Sequence, residues 1–266
     1  MLADEMTWDL SQLVESTDLT SVQKKLESMV AEADEIRSKN HGKIMGLDAS
    51  GLLQLLEARD IYSLKFEGVT TYCKLMYSTD STDEVAKQLN DAARRAVMKT
   101  SQALAFIDIE LGKLLVQNPS LVTDPALVEY RHYLERVLRR VPHMLSEIEE
   151  RIVIAKDKNG IEAWEMLQSD WLSTRTFDIE IEGKIKTLSY GEIIGLYQSQ
   201  NRDLRKRSNQ IVYQNLGKDE IIWASAIRAV CEDHLQMCEL RKYPTPITQS
   251  LIANDVDQQT IGSLMN

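Results

Sequence analysis

Positive charge is in short supply in this chain. Lysine and arginine total 31 against 41 aspartates and glutamates over 266 residues, a formal net charge of -10 and a pI near 5.0. Nonspecific nucleic-acid binding relies on clustered positive charge, so no nucleic-acid partner is expected. The nearest thing to a basic patch is Arg202, Arg205, Lys206 and Arg207. It has Asp203 in its midst and no interleaved aromatic residue, and it reads as a solvated helix face. No apolar run approaches the ~20 residues needed to span a bilayer, so no membrane partner is expected either. The opening Met1-Leu-Ala-Asp-Glu-Met has acids where a secretion signal carries a basic region and an apolar core. The three cysteines, Cys73, Cys231 and Cys238, cannot all pair, and each sits in a helical pattern. A reducing cytoplasm is the compartment this fits. No glycine-rich loop follows a strand, which leaves nucleotide binding without support. Spacing identifies no Ser/His/Asp or Cys/His arrangement, and no catalytic, cofactor-binding or metal residue is assigned within the chain.

What is present is helical periodicity, with 43% apolar residues, enough for a sizeable core in one or two domains. Leu19, Val22, Leu26, Met29, Val30, Ala33 and Ile36 recur at steps of three and four, the stripe of a core-facing helix. The stretch from Asn40 to Gly46 breaks it. Asp48 is placed to cap a second helix through Leu52, Leu55, Leu56 and Ile61, with Gly68 placed to interrupt or kink it before Val69 to Tyr77. Ser78 to Asp83 reads as a polar connector. A long helix follows from about Asp83 to Gln117, its small residues suited to close packing. Asn118-Pro119 stops it, and Asp124-Pro125 opens the next.

One segment departs from helix. In Arg175 to Leu188, Phe177, Ile179 and Ile181 alternate with Asp178 and Glu180, Glu182-Gly183 follows, and Lys184 to Leu188 forms a second arm. Period two around a glycine predicts a hairpin, with acids on one arm pairing across to lysines on the other. Ser189 is placed to cap a helix from Tyr190. Cys231, His234 and Cys238 fall at i, i+3 and i+7 on one helix. They would hold zinc only with a fourth ligand; the alternative is that both cysteines are small core residues beside Val230 and Leu235. His132 and His143 suit helix-surface or capping roles, and His41 lies in a loop. Trp164, Trp171 and Trp223 read as core residues. Tyr190, Tyr197 and Tyr213 are candidates for lining a channel.

The densest run of unusual residues lies between Val141 and Leu172. Pro142 lacks an amide proton and disfavours helix at Val141, so the helix bearing Tyr133, Val137 and Leu138 should end there. Ser146 and Glu149 have the spacing of a capping box, and Glu147, Glu149 and Glu150 suit the positive end of the new helix. Pro142, His143, Leu145, Ser146, Glu149, Glu150, Gly160 and Trp164 together resemble a block of the oligoendopeptidase F family of zinc metallopeptidases. Trp8-Asp9-Leu10-Ser11-Gln12-Leu13 resembles that family's WDLS-x-L start, and His41-Gly42-Lys43-Ile44 its GKI segment. Ser199 to Arg205 is similar to its S-x-D-R-x-x-R run, with Asn201 where an acid is usual. Arg241-Lys242-Tyr243 is similar to its RGY segment, with Lys242 replacing glycine.

The resemblance implies an all-α, multi-helix array forming one wall of a peptide channel, with a small β-hairpin near 175–188. It implies a helical region over 1–117, a helical lobe with the hairpin over 118–189, and the start of the zinc peptidase domain over 190–266. Short peptides would be the substrates of the full-length parent and zinc its cofactor, with none bound to this segment. H-E-x-x-H does not occur between Met1 and Asn266. The zinc ligands and general base are therefore expected beyond Asn266, in a C-terminal zinc domain that would be this segment's partner. The pattern Ile252, Val256, Ile261 and Leu264 runs to the last residue without a stop signal, as a truncated chain would, and truncation would leave apolar surface exposed. The competing expectation is a non-enzymatic helical interaction protein that has lost the zinc half.

Overall fold

The computed structural model describes residues 9–81 and 83–265. The Met1–Met6 opening, Trp8, Thr82 and Asn266 lie outside them. Among the described residues the fold is all-α with one two-stranded antiparallel hairpin. It divides into two compact units. One contains the residues up to Lys158 together with those from Met237 onward, the other Asn159 to Gln236.

The first unit is framed by α1 (Leu19–Asn40), α2 (Ala49–Thr79) and α3 (Glu84–Gln117). Each begins at an aspartate whose carboxylate accepts an otherwise unpaired first-turn amide: Asp18 from Ser21 at 3.0 Å, Asp48 from Gly51 at 2.8 Å, and Asp83 from Val85 at 2.7 Å. Val22, Leu26, Met29, Phe66 and Cys73 close around Leu89, Ala93 and Ala96 on the first half of α3. The second half carries Phe106, Ile107, Leu111 and Leu115 into another cluster with Ile44, Leu52, Leu56, Leu127, Leu134 and Val137. Tyr62, buried between the three helices, donates its hydroxyl to the Met29 carbonyl at 2.8 Å. After Asn118-Pro119, short 3-10 turns lead to α4 (Arg131–Arg140). A further 3-10 turn over Val141–His143 leads to α5 (Glu147–Asp157).

Gly68 does not interrupt α2, which runs unbroken from Ala49 to Thr79. The glycine is needed for approach. A methyl group there would overlap the backbone carbonyl oxygen of Leu13, at the end of the Leu10–Leu13 turn. Gly112 likewise lets Val141 come close, since an added Cβ would lie 2.7 Å from Val141 Cγ2.

In the second unit, α6 (Ile161–Ser173) is followed by β1 (Thr176–Ile181) and β2 (Lys184–Ser189). Then come α7 (Tyr190–Gly195), α8 (Arg202–Leu216) and α9 (Glu220–Leu240), whose residues from Met237 belong to the first unit. Glu182 and Gly183 both have positive φ, 53° and 76°, as a two-residue hairpin loop of this twist requires. Phe177 packs with Ile193 and Val212, and Leu188, Tyr190 and Ile211 are among the residues packed against them. The expected pairing of acids with lysines does not form. A two-residue loop sets each even-numbered residue opposite an odd-numbered one, and Asp178, Glu180, Lys184 and Lys186 are all even. The register places Asp178 against Thr187, which donates to it at 2.6 Å, Glu180 against Ile185, and the lysines against Ile179 and Ile181.

The chain returns to the first unit and ends in α10 (Thr248–Asn254) and α11 (Gln258–Met265). Asp255, at φ 57°, lies between the two, so the apolar pattern of this stretch is split: Ile252 lies in α10, Val256 in the link, and Ile261 and Leu264 in α11. His132 and Arg139 of α4 pair with the Asp255 carboxylate. Arg136 donates to the Ala253 carbonyl at 3.0 Å, placing positive charge at the negative end of α10. Replacing Gly68 with alanine should cost about 1–3 kcal/mol, as overpacking against backbone does. The loss would be read from the urea midpoint, with faster amide exchange at Leu10–Val14; an unchanged midpoint would refute the close-approach account.

Candidate functional site

The corner between α4 and α5 is where the first unit is fastened. Pro142 sits in the turn that ends α4, and Ser146 begins α5 with a complete capping box. The Glu149 amide donates to Ser146 Oγ at 3.4 Å, and Glu149 Oε2 accepts from the Ser146 amide at 2.8 Å. Glu147 and Glu150 do more than favour the helix dipole. Both also hold distant parts of the chain.

Glu150 takes a two-pronged grip from Arg241, Nη1 to Oε1 at 2.6 Å and Nη2 to Oε2 at 2.8 Å, and also accepts the Leu145 amide at 3.1 Å. Burial works against ionisation here, yet the Arg241 guanidinium and the Leu145 amide hold the Glu150 carboxyl below its ordinary value. The bond from Glu150 in turn raises Arg241 against its own burial. His143 Nδ1 lies 3.0 Å from the Arg241 carbonyl, and its ring stacks at 4.3 Å on Tyr243. This is how the Arg241-Lys242-Tyr243 segment is used. The Tyr243 amide bonds to the Cys238 carbonyl and the Lys242 amide to Glu239, the terminal arrangement that puts the intervening residue in the left-handed region. That residue is Lys242, at φ 56°, where the resemblance has glycine.

A second fastening lies at His41-Gly42-Lys43-Ile44. Glu110 of α3 accepts the Gly42 amide at 2.8 Å and the Ile44 amide at 3.3 Å, while Gly42 has φ 76°. Glu147 bonds His41 Nε2 at 2.8 Å and, on its other oxygen, Arg37. Burial opposes its charge, but the bonds from His41 and Arg37 prevail and lower its carboxyl. Arg37 also donates to the Ala103 carbonyl at 3.1 Å.

A cleft of about 270 Å³ opens beside the corner, lined by Arg59, Asp108, Arg140, Met144, Glu150 and Ile154 among others. Asp108 accepts Tyr133 Oη at 2.7 Å and Arg140 Nη1 at 2.9 Å, and Arg59 bonds the Tyr133 hydroxyl with its guanidinium 4.3 Å over that ring. Burial and the neighbouring Asp108 push the Tyr133 hydroxyl far above its usual range, so it stays protonated and serves as a fixed donor. The arrangement can bind and position, but it contains no activated nucleophile.

The remaining candidates stay apart. Cys231 is exposed on α9, whereas Cys238 is buried with its sulfur against the Pro246 carbonyl. Among the described residues, no group of three or more His, Cys, Asp and Glu side chains is placed to hold a metal ion. Burial pushes the Cys73 thiol up to about 11. His132 is on the α4 surface, paired with Asp255. Trp171 is buried, with its ring 4.7 Å from Trp223 and nearly perpendicular to it; Trp164 and Trp223 are only half-buried. Tyr213 is exposed, Tyr190 and Tyr197 half-buried. Asn201 caps α8, accepting the Asp203 and Leu204 amides at 3.0 and 3.1 Å, a task asparagine and aspartate perform equally well. Arg205 folds back onto the Ser199 carbonyl at 2.6 Å, so only Arg202, Lys206 and Arg207 of that basic run are exposed. Sequence reading missed Glu110, Asp108 and the outward roles of Glu147 and Glu150. A carboxylate on a helix gives no local sign of a partner far along the chain.

A family model described as Oligopeptidase F matches residues 116–177, the span that holds the Pro142 corner, Ser146 and Glu150. An oligoendopeptidase F homolog of Lactococcus lactis subsp. lactis is 23% identical over 274 residues, covering 99% of this chain and 44% of that protein. Oligopeptidase PepF of Bacillus subtilis is 24% identical over 278 residues, covering 98% of this chain and 39% of that protein. In fold, the chain resembles the crystal structure of oligoendopeptidase-F from Enterococcus faecium with a TM-score of 0.74 at 21% identity, over 90% of this chain and 48% of that one. The chain thus spans less than half the length of the curated relatives it matches.

Two measurements test the fastening. Arg241→Met should lower unfolding free energy by about 3 kcal/mol, because it strands a buried carboxylate. A carboxyl held lower in the folded than in the unfolded chain adds stability above its unfolded value near 4.5 and loses it as pH falls through the folded value. The variant's deficit should therefore shrink below about pH 4.5; a deficit independent of pH would refute the ion pair as its cause. Lys242→Gly should raise stability by about 1 kcal/mol by relieving the left-handed backbone, and a lower thermal midpoint would contradict that.

Proposed function

We propose, on the premise that this chain resembles the N-terminal portion of the oligoendopeptidase F peptidases, that it forms one wall of the peptide channel of a zinc metalloendopeptidase acting on short peptides. Coverage carries the reading. The likeness runs over 99% and 98% of this chain while taking up 44% and 39% of the two relatives. The segments that carry it, around His41, Pro142, Ser146, Glu150 and Arg241, are also those that fasten the first unit.

In this reading residues 1–117 and 118–189 supply helical wall, and 190–266 begin the peptidase domain. Zinc, which activates a bound water in such enzymes, belongs to the parent protein. The residues here do not fit it: Cys231 is exposed and Cys238 buried, and they form no ligand cluster. No hydrolytic step is therefore assigned to this chain, whose side chains hold and shape. Cys73 and Cys231 carry free thiols and Cys238 donates toward the Pro246 carbonyl, which suits a cytoplasmic protein.

Hydrolysis of a quenched fluorescent oligopeptide by the 266-residue chain, with added zinc and with chelator, tests the proposal. The chain alone should give no turnover under either condition. Turnover abolished by chelator and restored by zinc would place a working metal site within these residues and overturn the assignment.

A further inference from the structure

Among the described residues, one helix face in the second unit is exposed along its length. Ile221, Ala224, Ile227, Cys231 and Leu235 follow one another along α9 at steps of three and four, the spacing of a single stripe, and all five are exposed. Ile221 is 78%, Ile227 65% and Leu235 48% accessible. Scattered exposed apolar residues are ordinary, but a continuous run along a helix marks a surface that is covered in use. Around the helix, Arg228 falls between Leu235 and Ile221 and Glu232 just beyond Ile221, so a pair of opposite charges lies along one side of the stripe. Inside the same unit, Trp171 and Trp223 pack together and Arg175 lies 4.3 Å over Trp171 while pairing with Asp219, so the region of α9 beneath the stripe is anchored.

We propose that this α9 face seats the remaining half of an oligoendopeptidase F-type polypeptide, the part of the relatives that this chain does not span. The inference rests on the reading above and names the surface through which the two halves join. The Enterococcus faecium structure has this fold on 48% of its chain, so as much polypeptide again accompanies it there. The occupant would present an apolar helix face and take over the packing that the five residues lack.

The test measures binding rather than peptidase activity. The probe is the separately produced portion of Bacillus subtilis PepF that lies outside its match to this chain. The chain is mixed with it and followed by sedimentation and by maleimide labelling of Cys231. A complex should form and should slow Cys231 labelling at least tenfold. Ile227→Asp with Leu235→Asp, both at exposed positions where folding is spared, should weaken the complex at least tenfold. Ile61→Asp with Leu64→Asp, an exposed pair on α2, should not. No complex, or one that the α9 variant forms as well as the unaltered chain, would overturn the proposal. Self-association of the chain without the probe, removed by the α9 changes, would overturn it in favour of a second copy as the occupant. A complex that protects Cys231 yet hydrolyses no peptide would leave the docking face standing and count against the peptidase reading. Turnover in a complex that leaves Cys231 reactive would do the reverse.

Discussion

A helix can serve two cores only if its buried side is continuous, and α3 meets that condition over its whole length. Ala93 and Ala96 keep its first half slim enough for α1 and α2 to pack close. Phe106, Ile107, Leu111 and Leu115 then fill the wider space under Ile44, α4 and the turns before it. Gly112 lies on that second half, where Val141 must approach. The polar fastenings depend on the same helix. Glu110 receives the turn after α1, Asp108 gathers Tyr133 and Arg140, and the Ala103 carbonyl accepts Arg37. Loss of α3 packing would remove both clusters and the frame on which the corner is built.

The first unit handles its charge by pairing at a few partly buried points. The chain is acidic overall, yet its arginines do the joining: Arg37 to Glu147, Arg59 and Arg140 to Asp108, Arg241 to Glu150. Arginine suits such sites because its planar fork meets both oxygens of a carboxylate and it keeps its charge when desolvated. The Arg241–Glu150 pair shows the two-pronged form, with both side chains largely withdrawn from solvent. Exposed pairs such as Lys39–Glu35 add little by comparison.

Local chemistry was legible in the sequence, and distant chemistry was not. The caps at Asp48, Ser146 and Ser189, the stop at Asn118-Pro119 and the hairpin around Glu182-Gly183 all follow from neighbouring residues. The errors arose where the answer depended on something beyond the window. Gly68 reads as a helix breaker until the Leu13 carbonyl is seen against it. The acid and lysine arms of the hairpin look complementary until the two-residue loop fixes their parity. Glu147 and Glu150 look like helix-start acids, and their partners Arg37 and Arg241 lie 110 and 91 residues away in the chain. The resemblance located those segments as unusual but could not say that they touch.

The path of the chain carries a consequence for how this protein is made. It leaves the first unit at Lys158 and rejoins it only at Met237. Arg241 therefore emerges from the ribosome long after Glu150 has taken its place in α5. Until then the corner carries a partly buried carboxylate and a histidine with no segment to receive them. Closing so long a loop costs entropy that grows only slowly with its length, but it delays the contact. Within the first unit, the stretch from Met237 joins after the other residues have been made, and the α4–α5 corner stays open until it arrives.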